Sequence, residues 1–249
     1  RPFTKHHLYF DRPFIERPGL WMQLFPTKSS NNIVIGISSE GSDKGLGVII
    51  SNQFGDYHLA GDTKFFPLYY YEENNSAEKS LFDTDEGQKY IRRDAISNFI
   101  FERAKQQYGK SVTKEDIFYY MYGFLHSKEY RETFANDLKK MLPRLPLVED
   151  VKDFWSFSKA GRKLAELHLN YESVAPSQDV TVTGDDDKHY TVDKMRFGKK
   201  TADVKGKNKS IDDKSIINYN SKISISNIPE KAYEYVVNGK SAIEWIMER

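Results

Sequence analysis

The stretch from Thr113 to Pro146, TKEDIFYYMYGFLHSKEYRETFANDLKKMLPRLP, constrains the fold more than any other. Ile117, Tyr120, Met121, Phe124 and Leu125 recur at i, i+3, i+4, i+7 and i+8, which is one face of an α-helix. Thr113 followed by Asp116 forms a capping-box start, and Ser127 restarts a second helix whose face carries Tyr130, Phe134, Ala135 and Leu138. Pro143 and Pro146 end it, because proline lacks the N–H and clashes with the preceding turn. The expectation is a tight helical hairpin with an aromatic face too apolar to stand alone. Another part of the chain must cover it.

At 249 residues there is enough chain for a sizeable core. No apolar run approaches the roughly 20 residues of a membrane span, and no signal peptide opens the chain. Zero cysteines exclude disulfides, thiolate zinc sites and cysteine nucleophiles, and fit a reducing cytoplasm. The chain enters directly at Arg1-Pro2-Phe3, which reads as a piece of a longer polypeptide.

Around the hairpin the pattern is mixed. Leu8-Tyr9-Phe10 is a candidate short strand, and Pro13, Pro18 and Pro26 forbid long elements nearby. Residues 33–37 and 46–50 are β-branched runs expected as neighbouring strands, with further strands at 56–60 and 65–71; Pro67 places the last at an edge or bulge. Residues 72–88 are expected to loop out. Helices are expected at 94–107, through Ile96, Phe99, Ile100 and Ala104, and at 151–169, through Val151, Phe154, Phe157, Leu164 and Leu167. After Pro176, strands with one buried face are expected at 180–183 and 222–226. A strand at 233–237, an Asn238-Gly239 turn and a closing helix follow. The expected class is α+β, with short mixed or antiparallel strands at both ends packed around a central group of helices. Its sub-lobes would be 1–110 (strand-rich), 111–175 (helical) and 176–249 (strands, a basic loop and the closing helix).

The net charge is only +1, but Lys188 to Lys214 holds nine cations against four aspartates. A basic loop in a nearly neutral chain points to a polyanion, and a solvated flexible loop is the competing reading. Chemistry motifs are absent. GSDKGLG lacks the order of a phosphate loop, and there is no H-E-x-x-H, G-x-S-x-G or Asn-Pro-Pro-Tyr. His6 and His7 lack a third ligand at matching spacing, so no metal is expected, and Asp186-Asp187-Lys188 lacks a placed partner acid.

Five blocks carry a family resemblance: RPFTKHHLYFDRPFIERPG, SNQFGDYHLAGDTKFFPLYYY, KEDIFYYMYGFLHSKEYRETFANDLKKMLPRLPL, AGRKLAELHLNYE and IPEKAYEYVVNGKSAIEWIMER. In this order they resemble the C-terminal target-recognition domain of type ISP restriction-modification enzymes. The resemblance runs from Arg1 to Arg249 and is weakest at about 172–220. It implies a DNA-recognition module without chemistry or cofactor of its own. The parent polypeptide would be an adenine-N6 methyltransferase, ATP-dependent translocase and nuclease using S-adenosylmethionine, ATP and Mg. The implied partners are double-stranded DNA and the methyltransferase domain of the same polypeptide, with no membrane and no small-molecule substrate.

On that basis, candidate phosphate contacts are Lys194, Arg196, Lys199, Lys200, Lys205, Lys207 and Lys209, with Lys28 and Lys44 secondary. Candidate base readers are Asn52, Gln53, His58, Gln178, His189, Asn208 and Asn218. Two other classes compete: a module that docks the methyltransferase domain without reading bases, and a hydrolase with an unrecognised site.

Overall fold

The computed structural model describes residues 2–9, 11–16, 19–38, 44–74, 89–184, 190–192 and 194–248, with the backbone alone at Arg12. They form two compact units. One is His6–Glu172, and the other joins Arg1–Lys5 to Ser173–Arg249.

The larger unit opens with α1 (Trp21–Leu24) and a three-stranded antiparallel sheet of β1 (Val34–Ile37), β2 (Val48–Ser51) and β3 (Lys64–Pro67), in the order β2-β1-β3. Pro67 ends an edge strand, where its missing N–H removes no ladder bond. A second ribbon pairs β4 (Tyr69–Glu73) with β5 (Tyr90–Asp94). Helices α2 (Asn98–Tyr108), α3 (Lys114–Leu125), α4 (Lys128–Thr133) and α5 (Val151–Leu169) complete it. Asn32, buried between these parts, satisfies every polar atom of its side chain. Its Nδ2 donates to the carbonyls of Leu24 (3.0 Å) and Tyr69 (2.7 Å), and its Oδ1 accepts from the N–H groups of Ile33 (2.8 Å) and Tyr69 (3.1 Å).

Helix α3 starts at the expected capping box, where Thr113 Oγ1 accepts from the Asp116 N–H and the Asp116 carboxylate accepts from the Thr113 N–H. It is not a one-faced helix, however. Eight of its 12 residues are buried, including Phe118 and Tyr122, which lie off the predicted face. The cover is α5. Gly123 and Gly161 let the two backbones touch, since a Cβ on Gly161 would overlap the Tyr119 carbonyl oxygen and one on Gly123 that of Phe157. Ile35, Ile37, Val48 and Ile50 from the sheet share this core with Tyr108, Tyr120, Phe154 and Ala165, so the strand-rich and helical stretches fold together.

The second arm of the hairpin is shorter than expected. Helix α4 is capped by Ser127 and stops at Thr133 after six residues. Thr133, Phe134, Asn136 and Asp137 have low helix propensity. The chain continues in loose turns that bury Leu138 and leave Phe134 exposed. The proline segment beyond is tied down by tyrosines, whose hydroxyls donate to alternate carbonyls. Tyr130 reaches Arg144 O (3.1 Å), Tyr120 reaches Pro146 O (2.6 Å) and Tyr108 reaches Val148 O (2.6 Å).

Other expectations need correction. Residues 57–60 are turns rather than a strand, because the Asp56 carboxylate accepts the His58 N–H at 2.7 Å and closes an Asx turn. Asp94 ends β5 instead of opening a helix. Helix α2 begins after Ser97, whose side chain caps Ile100 N–H. Leu8 and Tyr9 are irregular, and Phe10 lies outside the described residues.

The smaller unit holds a four-stranded antiparallel sheet, β6 (Thr181–Thr183), β7 (Arg196–Asp203), β8 (Asn208–Asn218) and β9 (Ser224–Ser226), in the order β6-β9-β8-β7. Strand β6 has no buried face, contrary to expectation, because it is an edge strand exposed along its whole length. A 3-10 turn at Glu230–Tyr233 displaces the expected strand at 233–237, leaving β10 (Val236–Val237). β10 pairs with β11 (Lys240–Ser241) across Asn238-Gly239, both at positive φ, as a two-residue hairpin requires. Helix α6 (Ala242–Met247) follows from a Ser241–Glu244 capping box. The α+β class, with described sheets all antiparallel, agrees with the sequence reading.

Candidate nucleic-acid interface

From Arg196 onward the basic stretch is not a loop. Residues 196–218 form a β-ribbon whose strands reverse at Val204-Lys205-Gly206-Lys207. Lys205 and Gly206 have φ of 55° and 74°, and Val204 and Lys207 exchange both backbone hydrogen bonds (2.9 and 3.3 Å). This is a two-residue turn whose twist matches the flanking strands. Eight residues of β7 make the ribbon about 26 Å long.

A bulge fixes its base. Lys214, Ser215 and Ile216 of β8 have no partner on β7, because the register jumps between Phe197 and Gly198. Two of the bulge's carbonyls accept hydrogen bonds from outside the ribbon: the Tyr233 hydroxyl donates to Lys214 O (2.6 Å), and the Ile228 N–H donates to Ser215 O (3.0 Å). Lys214 Nζ donates to Glu244 Oε1 (2.8 Å). Burial pushes the Glu244 carboxyl up, but the hydrogen bonds from Lys214 and Ser241 outweigh it and hold the pKa below its usual value. The distal half, from Gly198 to the turn, projects beyond this anchor.

Strand alternation sorts the distal side chains onto two faces. On one, the cross-strand pairs are Lys199–Asp212, Thr201–Ser210 and Asp203–Asn208, all six residues exposed. On the other, in the pairs Gly198–Asp213, Lys200–Ile211 and Ala202–Lys209, Gly198 is buried and Asp213, Ile211 and Ala202 are half-buried, while Lys200 and Lys209 are exposed. Lys199 Nζ lies 2.5 Å from Asp212 Oδ1, and Lys200 Nζ lies 3.8 Å from Asp213 Oδ1. Hydrogen bonds from Ser215 and the Lys200 charge hold Asp213 below the usual carboxylate range. Among the described residues no ion pair forms to Lys205, Lys207 or Lys209, which crowd the tip.

The predicted site residues therefore divide. Arg196, Lys199, Lys200, Lys205, Lys207, Lys209, Asn208 and Asn218 come together on one ribbon, with Arg196 and Asn218 opposite each other at its base. Lys194 precedes it and is exposed, and Gln178 sits in an exposed turn. His189 lies outside the described residues, as do Asp186, Asp187 and Lys188. In the larger unit, Lys28 is exposed in a turn and Lys44 is exposed before β2. Asn52 and Gln53 follow β2 in an exposed bend held by Ser51, whose hydroxyl accepts the Gln53 N–H at 3.0 Å. His58 Nδ1 lies 3.3 Å from Asp62 Oδ1. The aligned set Thr201, Asp203, Ser210 and Asp212 was missed. Its signal is period-2 polar alternation on both sides of V-K-G-K, with no apolar flank to draw attention.

The smaller unit also carries an open groove of about 500 Å³ lined by Ile217, Ile225, Ile228, Ile243, Ile246 and Met247. This lining is unsuited to phosphate or base edges. Among the described residues, no group of three or more His, Asp or Glu is arranged to hold a metal, and no helix is long and apolar enough to cross a membrane.

The family model of the type ISP C-terminal specificity domain matches residues 1–249. The chain belongs to that family. Among solved structures, this specificity domain is similar to the ATP-dependent type ISP restriction-modification enzyme LlaBIII bound to DNA, at 33% identity and a TM-score of 0.80 over 100% of the chain. A nuclease-deletion mutant of the type ISP enzyme LlaGI, in complex with a DNA substrate mimic, is 38% identical over 100% of the chain, with a TM-score of 0.75. The DrdV–DNA complex is 25% identical over 97% of the chain, with a TM-score of 0.76. The chain spans 15%, 19% and 22% of the lengths of those three chains. No curated protein matches it.

Proposed function

We propose that this specificity domain is the double-stranded DNA recognition module of a type ISP restriction-modification enzyme, directing methylation and restriction carried out elsewhere in the polypeptide. The observation that carries this reading is family membership over all 249 residues, with similar chains found in complexes with DNA. The exposed basic ribbon supplies the physical means. Lysines at the tip neutralise phosphates and release counterions, giving affinity without sequence information. Polar side chains then read base edges.

Lys205, Lys207 and Lys209 lead the phosphate contacts because no described carboxylate holds them. Lys199 and Lys200 act second, since each has an aspartate beside it. Lys194, Arg196, Lys28 and Lys44 remain phosphate candidates. Asn52, Gln53, His58, Gln178, Asn208 and Asn218 remain base-reading candidates, and so does His189. The parent enzyme would supply an adenine-N6 methyltransferase with S-adenosylmethionine, and a translocase and nuclease with ATP and Mg.

The test is duplex binding by the full-length polypeptide as salt is raised. The expected log–log fall is steep, and replacing Lys205, Lys207 and Lys209 with alanine flattens it by up to roughly 2.7 in slope. A flat profile in the unaltered protein rejects the reading.

A further inference from the structure

We propose that the exposed face of the ribbon formed by Thr201, Asp203, Asn208 and Ser210 is a base-reading surface that enters the major groove. It rests on the DNA-recognition reading and adds the element, the face and the residues that discriminate sequence.

The face is defined by three cross-strand pairs in register: Lys199–Asp212, Thr201–Ser210 and Asp203–Asn208. All six residues are exposed, none is apolar, and their side chains are hydrogen-bond donors, acceptors or both. That excludes a hydrophobic docking surface. The charge does not make the face a phosphate cradle, because its one lysine, Lys199 at the end nearest the bulge, stands against two aspartates and is shared with Asp212 at 2.5 Å. A surface that is polar, nearly neutral and rich in mixed donors and acceptors matches the edges of base pairs instead.

Geometry agrees. B-DNA's major groove admits a two-stranded β-ribbon. From the Lys199–Asp212 pair to the Asp203–Asn208 pair is four residue steps, about 14 Å, which spans roughly four base pairs. The bulge at Lys214–Ile216 and the Tyr233 hydroxyl fix the base, from which the distal half extends. With this face on the groove floor, Lys205 and Lys207 at the turn and Lys200 and Lys209 on the opposite face are left for the flanking phosphates. Asn208 suits adenine N6/N7, Asp203 accepts from cytosine N4, and the Thr201 and Ser210 hydroxyls serve either role.

The experiment is selection of the full-length polypeptide against a randomised duplex library, with preference read position by position. The unaltered protein should return one motif. Asn208→Ala and Ser210→Ala should each relax one or two adjacent positions by about 10-fold or more and leave the others intact. Ser210→Thr, which keeps the hydroxyl, should restore the motif. Lys205→Ala should weaken all sequences alike without changing it. An unchanged motif in the Asn208→Ala, Ser210→Ala and Thr201→Ala variants overturns the proposal while leaving DNA recognition standing. Failure of the unaltered protein to enrich any duplex overturns both.

Discussion

In α3, Phe118, Tyr120 and Tyr122 are sealed from solvent, whereas along one face of the β7–β8 ribbon alternate side chains from Lys199 to Asp203 and from Asn208 to Asp212 are all exposed. The helix is held from several sides by aromatic packing, close backbone approach to α5 and tyrosine hydroxyls. The ribbon is anchored at its base, through pairing with β9, the bulge, Tyr233 and the Lys214–Glu244 pair. Where packing specifies the backbone this tightly, side chains are not free to face a ligand. Where a prong is anchored at one end, its distal side chains can change with little effect on the fold. A recognition domain has use for both.

Substitutions break this contrast in order of their effect on stability. Gly161→Leu should be the most damaging, because its Cβ would overlap the Tyr119 carbonyl oxygen and force α3 and α5 apart. A loss of about 4 kcal/mol or more is expected in denaturant or thermal unfolding. Asn32→Ala should follow at roughly 2–4 kcal/mol, since it leaves the buried amide groups of Leu24, Ile33 and Tyr69 without their partner. By contrast, Asn208→Ala on the ribbon should stay within about 0.5 kcal/mol in the same assay.

A pH titration sharpens the comparison next. Burial pushes His126 down to about 4, with Arg131 and His168 adding to it, and burial also pushes His168 down to about 4. Tyr122 links them: His126 Nδ1 donates to its carbonyl at 2.8 Å, and its hydroxyl lies 2.6 Å from His168 Nδ1. Both folded pKa values lie below the unfolded value, so the unfolded chain binds more protons between them. Stability should therefore be complete above about pH 6.5 and fall as pH drops toward 4. Replacing both histidines with glutamine should flatten that dependence in unfolding measured across the range.

The smallest effect on the fold belongs to the combined Lys205→Ala, Lys207→Ala and Lys209→Ala change. Melting should be unaltered within about 0.5 kcal/mol. DNA affinity and its salt slope should both drop, as read by titration with a duplex.

What was legible in the sequence follows from range. The Thr113 and Ser127 caps, the α5 helix, the β1 and β2 strands and the Asn238-Gly239 turn are set within a few residues, and the pattern showed them. Helix α4 ran short because residues 133–137 compete locally against helix, and the 56–60 strand failed because one aspartate closed a turn. The ribbon was half legible. Its charge was visible, but strand pairing was hidden because neither arm carries an apolar alternation. For the candidate interface, the sequence supplied the lysines and Asn208 but not the opposing aspartates that hold Lys199 and Lys200.

The amino-acid order alone carried the family, through the resemblance of five ordered blocks. It also carried the mixed class and the apolar hairpin that needs cover, which rest on local periodicity and composition. Only the tertiary structure decided what covers the hairpin. Gly123 and Gly161 look like weak points in two helices until the backbones are brought into contact. Only the structure, too, turned a run of lysines into a ribbon with two chemically different faces. Which face a strand residue occupies depends on register with a partner strand and on a three-residue bulge, and neither is encoded within reach of a single window.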